Sequence, residues 1–288
     1  MIVTKLMGGL GNQMFQYALG RRLAHERGVP LKLDLSWFRD ARVVGADTIR
    51  EYALAGWRIQ ASIATPEDLS RFPRREGLLA RLGLAGSSLV QERGFGFNAK
   101  VLRTPKDAHL TGYWQSEKYF KAIRDILLRE FTMVAPVCEH AEALLGRVNS
   151  PSAVAIHVRR GDYVNNPSTH EFHGVCPVEY YLDAARRVAD RVTDPHFFVF
   201  TDDPDWVRDN LRFAWPMTLV MHDDNCTPHQ DMWLMSRSSH HIIANSSFSW
   251  WGAWLSSNEH KTVIAPERWF RDPKHYTGDL IPEAWTRI

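Results

Sequence analysis

The feature that most constrains this chain is a series of short apolar runs, each about one strand long and each followed by a helical pattern. In the second half they are Ala153–Val158, Phe197–Thr201, Met217–Met221, His241–Ala244 and Thr262–Ala265. Runs this short and this apolar fit strands covered on both faces. The intervening helices run from Pro177 to Val192, from Asp203-Pro204 through Leu211, from about Gln230 to Arg237 and from Ser247 to Leu255. Strands alternating with helices predict a parallel, doubly wound sheet, with ligands at the strands' carboxyl ends. The amino-terminal part opens in the same rhythm. Ile2 to Met7 reads as a strand, Gly8-Gly9-Leu10-Gly11 as a loop, and Asn12 to Arg27 as a helix that Gly28 ends. Leu31, Leu33 and Leu35 then alternate in a second strand. The polar turn Asn149-Ser150-Pro151 divides the chain into 1–149 and 150–288.

Residues 40–110 are less regular. Arg71 to Arg81 is locally basic and partly amphipathic, which suits a solvated helical hairpin or a membrane-surface contact. His109–Trp114 reads as a strand, and Ser116 caps a helix to about Phe131. The charge balance is 35 Lys and Arg against 33 Asp and Glu, a net of +2, which argues against nucleic-acid binding through a basic surface. An anionic ligand must therefore meet a local cluster. No apolar run approaches the ~20 residues of a membrane span, and the start at Met1 lacks the pattern of a signal peptide. Cys138, Cys176 and Cys226 fit neither a disulfide framework nor a zinc pattern, so a reduced, cytoplasmic setting is expected.

Four groups stand where strands meet helices. In the first, Gly8 to Gln13, a glycine loop before a helix suits a phosphate but also suits close strand–helix packing. The second is His157-Val-Arg159-Arg160-Gly161-Asp162. Two guanidinium forks at a strand end can hold a diphosphate, or can simply answer nearby carboxylates. Asp202-Asp203 is the third, with three readings open: the cap of the next helix, a brace for an arginine or a ligand hydroxyl, and a divalent-metal pair. The fourth runs from Asp231 to Trp254. Asn245-Ser246-Ser247 offers hydroxyls and N–H groups at a strand-to-helix turn, while Trp250, Trp251 and Trp254 read as core or as a sugar-stacking surface. His240-His241 reads as a packed pair or a metal site.

These stretches together resemble the bacterial α1,2-fucosyltransferases, glycosyltransferase family 11. The matching motifs are Gly-Gly-Leu-Gly-Asn-Gln-Met-Phe-Gln-Tyr-Ala at 8–18, His-Val-Arg-Arg-Gly-Asp-Tyr at 157–163, Asp-Met-Trp-Leu-Met-Ser at 231–236 and Ala-Asn-Ser-Ser-Phe-Ser-Trp-Trp-Gly-Ala-Trp at 244–254. Residues 40–105 carry little of the likeness. The resemblance implies an α/β fold of the GT-B type, two Rossmann-like domains with parallel sheets facing across a cleft. Its carboxyl-terminal domain would bind GDP-fucose and its amino-terminal domain the acceptor.

Carried onto this chain, the resemblance implies that Arg159, with Arg160, neutralises the leaving β-phosphate. Asn12, beside Gly11, reaches the diphosphate or the fucose ring oxygen, and His157 holds the ribose or the diphosphate. Asp231 reads the guanine edge, and Ser246, Ser247 and Phe248 complete the pocket. The implied reaction inverts the anomeric centre as the 2-hydroxyl of a terminal β-galactoside attacks, with no cofactor and no metal. Asp162, Glu171 and His173 are the candidate bases, and a leaving phosphate oxygen is the alternative to all of them. Peripheral association with a membrane's inner face is compatible with this reading. The rivals are a transferase of another GDP-sugar or linkage, and a non-catalytic nucleotide- or glycan-binding protein.

Overall fold

A computed structural model describes residues 1–43, 50–72, 88–221 and 227–288, without the side chains of 40–43, 162, 165 and 168. The chain forms two units, one of Met1–Thr132 with Tyr276–Leu280 and one of Met133–His275 with Ile281–Ile288. The basic stretch expected as a hairpin lies largely outside the described residues.

The first unit is built from β1 (Ile2–Lys5), α1 (Leu10–Arg27), β2 (Leu31–Asp34), α2 (Ser36–Val43), β3 (Ser62–Ile63), α3 (Pro66–Ser70), β4 (Ser88–Gln91), β5 (Ala108–Thr111) and α4 (Arg124–Glu130). Its strands are all parallel, in the order β3-β2-β1-β5-β4. Alternation along the strands sends Ile2, Leu31, Leu33, Ala108 and Leu110 into the core. Gly20 of α1 lies against the sheet, and a Cβ there would fall 2.3 Å from Thr4 Oγ1. Gly28 ends α1 at φ 60°, the left-handed cap anticipated from sequence. Ser116 caps only a 3-10 turn, Glu117–Tyr119, and α4 follows after a second one, so the single helix expected there is broken.

The second unit contains α5 (Glu139–Val148), β6 (Ala153–Val158), α6 (Gly161–Asn165), α7 (Pro167–His173), α8 (Val178–Ala189), β7 (His196–Thr201), α9 (Pro204–Asn210), β8 (Met217–Val220), α10 (Pro228–Arg237), β9 (His240–Ile242), α11 (Ser247–Leu255), β10 (Val263–Ala265) and β11 (Thr286–Arg287). These strands are also parallel, in the order β11-β10-β9-β6-β7-β8. Tyr180, Tyr181, Ala184 and Val188 of α8 cover one face of β6 and β7. The opposite face packs Ala141, Leu144 and Val148 of α5 with Leu234 and Met235 of α10.

That packing moves the division between units. The sequence places it in the turn at 149–151, but α5 lies on the second sheet, so the units part between Thr132 and Met133. Cysteine usage differs as well: Cys176 is a buried free thiol, whereas Cys138 is disulfide-bonded. Spacing along the chain carried no sign of that bond.

Candidate donor-binding site

Strand order in the second unit reverses between β6 and β9, with β7 and β8 on one side and β10 and β11 on the other. Such a reversal opens a crevice beyond the carboxyl ends of the two central strands. Ile156 pairs with Ile242, so Arg159 and Asn245 leave the sheet at the same level on neighbouring strands. In a parallel sheet each following helix begins at this edge. The amino termini of α6, α9, α10 and α11 therefore gather here with the predicted residues.

Arg159 extends from β6, and its Nη1 forms an ion pair with Asp202 Oδ2 at 2.9 Å, both side chains about a quarter exposed. Its guanidinium carbon lies 5.7 Å from the centre of the Tyr163 ring. Asp202 also accepts the backbone N–H of Arg160 at 2.8 Å. A Cβ on Gly161 would fall 2.7 Å from Asp202 Oδ2, which is why no larger residue fits beside this carboxylate.

Arg160 points elsewhere. Its Nε donates to Asp203 Oδ2 at 3.1 Å, and its guanidinium lies 4.2 Å over the Trp206 ring. Asp203 also caps α9, accepting the N–H of Trp206 at 3.2 Å. Both arginines thus answer a carboxylate, and Arg160 is the one whose partner also caps a helix. Asp202 takes the arginine-orienting role and Asp203 the capping role, two of the three readings open in the sequence. Among the described residues there is no cluster of three or more metal-ligating side chains.

His157 is buried, with its ring 5.5 Å from that of Phe248. Burial, reinforced by the positive charge of Arg159, lowers its pKa to about 3. The imidazole is therefore neutral near pH 7 and can contribute a hydrogen bond but no charge. Its Nδ1 is buried with no hydrogen-bond partner among the described residues, an arrangement that calls for an explanation in a native fold.

The turn after β9 divides its labour. Ser246 caps α11 by accepting the N–H of Phe248 at 3.3 Å, and Ser247 starts that helix. The first-turn N–H groups and the helix dipole make this end receptive to an anion. Asn245 turns inward instead. Its Nδ2 donates to the carbonyls of His173 at 2.9 Å, Trp269 at 3.2 Å and Gly174 at 3.4 Å, while Cys176 Sγ donates to its Oδ1 at 3.6 Å. It locks the β9–α11 turn to the loops after α7 and β10. Tyr163, stacked on His173 at 4.7 Å, adds a bond from its hydroxyl to the Asn245 carbonyl at 3.2 Å.

Trp250, Trp251 and Trp254 are buried in one another's company and belong to the core. His241 is fully buried, and His240 Nδ1 accepts the N–H of Thr262, so this pair is packing. Asp231 lies in the first turn of α10, after the capping box of Thr227 and Gln230. Gly252 of α11 meets Met235 closely enough that a Cβ would sit 3.1 Å from it, so α10 and α11 run in tight contact. The Asp162 side chain lies outside the described residues. Glu171 is exposed on α7.

In the first unit, Gly8 has φ 75°, and a Cβ there would fall 2.6 Å from Asn12 Nδ2. Asn12 Oδ1 accepts from Gln115 Nε2 at 2.8 Å. Gln13 is internal: it donates to the carbonyls of Gly8 and Glu51 and accepts from the N–H of Ala53. Gly11 is buried at the start of α1.

A parallel α/β unit with an arginine and a helix amino terminus at its switch point has the doubly wound architecture whose crevice can receive an anionic ligand. The family model described as "Glycosyl transferase family 11" matches residues 53–288. An alpha-1,2-colitosyltransferase of Escherichia coli is 34% identical, over 100% of this chain and 98% of its own length. The O-antigen biosynthesis glycosyltransferase WbnK of Escherichia coli is 32% identical, over 98% of this chain and 99% of its own. Galactoside alpha-(1,2)-fucosyltransferase 2 of Oryctolagus cuniculus is 28% identical, over 88% of this chain and 66% of its own. The chain belongs to glycosyltransferase family 11.

Proposed function

We propose that this glycosyltransferase moves a 6-deoxy-L-hexose, L-fucose first, from a GDP-β-L-sugar to the 2-hydroxyl of a terminal β-galactoside, with inversion. The observation that carries the reading is Arg159, oriented by Asp202 at the β6–β9 crevice beside the amino terminus of α11. The diphosphate lies against Arg159 and the first turn of α11, where Ser246, Ser247 and Phe248 meet it. Neutral His157 hydrogen-bonds the ribose or a phosphate oxygen, and Asp231 accepts from N1–H and the 2-amino group of guanine. Arg160 supports the site through Asp203 and Trp206.

In the reaction, the acceptor oxygen bonds to the anomeric carbon from the face opposite the leaving group. The bond to the β-phosphate oxygen breaks, and GDP departs with the electron pair. The acceptor proton passes to a base or to the departing phosphate. Negative charge builds on that phosphate, and Arg159 with the α11 N–H groups stabilises it, so no metal is called for.

A second reading has an observation of its own: the similarity to a colitosyltransferase favours a donor that carries colitose in place of fucose. A donor panel decides. GDP release is followed with GDP-fucose, GDP-colitose and GDP-mannose, with lactose as acceptor and EDTA in excess. Lactose-dependent release from GDP-fucose is the expected result. Release from GDP-colitose alone establishes the second reading. Binding of GDP without turnover of any of the three refutes both.

A further inference from the structure

The first unit contains a half-buried carboxylate that answers no cation. Glu92 follows β4 directly and spends both oxygens on the chain just after β5. Its Oε2 accepts the N–H of Tyr113 at 2.6 Å, and its Oε1 that of Trp114 at 3.0 Å. Burial raises its pKa, the two N–H groups oppose the rise, and no positive charge takes part. A carboxylate withdrawn from water in this way is costly.

The segment it grips is strained. Trp114 is fully buried at φ 57°, a left-handed conformation that bulky side chains rarely adopt and that persists only where the surroundings enforce it. Gly112 belongs to the same arrangement, since a Cβ there would fall 2.4 Å from Glu92 Cβ and 2.8 Å from Trp114 Cε2. The chain then turns back on itself. Ser116 N–H donates to the Trp114 carbonyl at 2.8 Å, closing a three-residue turn with Gln115 at its centre. From that turn Gln115 Nε2 donates to Asn12 Oδ1 at 2.8 Å.

This last bond sets which end of the Asn12 amide faces outward. With Oδ1 taken by Gln115, Nδ2 lies over Gly8, where a Cβ would fall 2.6 Å from it. Nδ2 has no hydrogen-bond partner among the described residues. As a donor it can meet only an acceptor. We propose that Glu92 is a positioning residue: through the backbone of Tyr113 and Trp114 it holds Gln115 against Asn12, and so presents the Asn12 N–H groups to an oxygen of the substrate. That Asn12 serves turnover rests on the transferase reading; how its amide is held does not.

The test uses the whole protein. Selective isotope labelling of the asparagine amides, with the Asn12 signal identified by its loss in Asn12→Ala, reads orientation through the NOE from the Asn12 amide protons to Gly8 Hα. Steady-state kinetics with GDP-fucose and lactose read turnover, and urea unfolding supplies the folded fraction. In wild type the NOE is strong. In Glu92→Gln, where an NH₂ group replaces one acceptor oxygen, it weakens, and kcat falls about two- to tenfold. In the Asn12→Ala background the same substitution changes kcat less than about twofold, because its effect runs through Asn12. Gln115→Met keeps the length, leaves the Glu92 bonds in place and gives the same pattern, which decides the matter if Glu92→Gln does not fold. An Asn12 NOE unmoved by both variants, a kcat unchanged in both, or an equal loss of kcat with Asn12 already replaced overturns the proposal. Absence of turnover by the wild type strikes the transferase reading instead, and the NOE alone then decides the positioning.

Discussion

Asn245→Asp separates a structural brace from a ligand-facing amide with little change in shape. The Asn245 amide nitrogen faces three carbonyl oxygens at 2.9, 3.2 and 3.4 Å, and the residue is 2% exposed. Replacing that nitrogen by oxygen removes both amide hydrogens. A carboxylate ionised there would stand against three carbonyls, so the side chain protonates and recovers one donor. With one donor in place of two, the variant satisfies one carbonyl fewer than the wild type, a loss of about 1–3 kcal/mol. Because the introduced acid titrates higher in the fold than in the unfolded chain, the penalty is least below about pH 4 and grows as pH rises. Urea unfolding of wild type and variant at pH 5 and pH 8 measures this. A loss under about 1 kcal/mol, equal at the two pH values, would refute the reasoning and turn Asn245 outward to a ligand.

Other substitutions carry further predictions. Arg159→Ala removes the cation proposed to meet the leaving phosphate, so kcat/KM should fall by about 10²–10³; its partly exposed ion pair contributes about 0–1 kcal/mol to stability, so the melting curve should barely move. Arg160→Ala should do the reverse, costing about 1–2 kcal/mol through the lost Trp206 and Asp203 contacts, with kcat/KM reduced less than about tenfold. In the first unit, burial raises the pKa of Asp34, but hydrogen bonds from His109 and Ser36 outweigh it and hold the carboxyl at about 2, against an ordinary 3.8. The resulting stability, about 2 kcal/mol, is complete at neutral pH and lost as pH falls from about 4 to 2. Asp34→Asn should lack it, so acid titration of unfolding should show wild type and variant converging near pH 2.

Much of the second unit was legible because its central strands are fully covered and therefore unbroken apolar runs, as in Ala153–Val158 and Phe197–Thr201. Edge elements were not. β11 is two residues long, and Thr286-Arg287 has no pattern of its own; only pairing with β10 makes it a strand. The unit boundary misled because α5 has an ordinary amphipathic pattern that cannot state which sheet it covers. In the site, the arginines at a strand end were visible, but their division was not: Asp202 and Asp203 lie about forty residues further on, and their geometry gives each arginine its own carboxylate partner. The Asn245-Ser246-Ser247 turn looked uniformly receptive to an anion, yet Asn245 is turned inward by carbonyls of His173 and Trp269. The Asp34–His109 pair joins residues 75 positions apart, and neither stands in a motif, so no reading along the chain brings them together.

The measurement that bears most directly on the transferase account is the structure of its product. The protein is incubated with GDP-fucose and lactose in EDTA, and the trisaccharide is analysed by NMR. The account predicts one new α-anomeric fucose whose H1 correlates with C2 of galactose, formed at a rate that EDTA leaves unchanged. A β-anomer, a linkage to another hydroxyl, or formation only after a divalent metal is restored would contradict it.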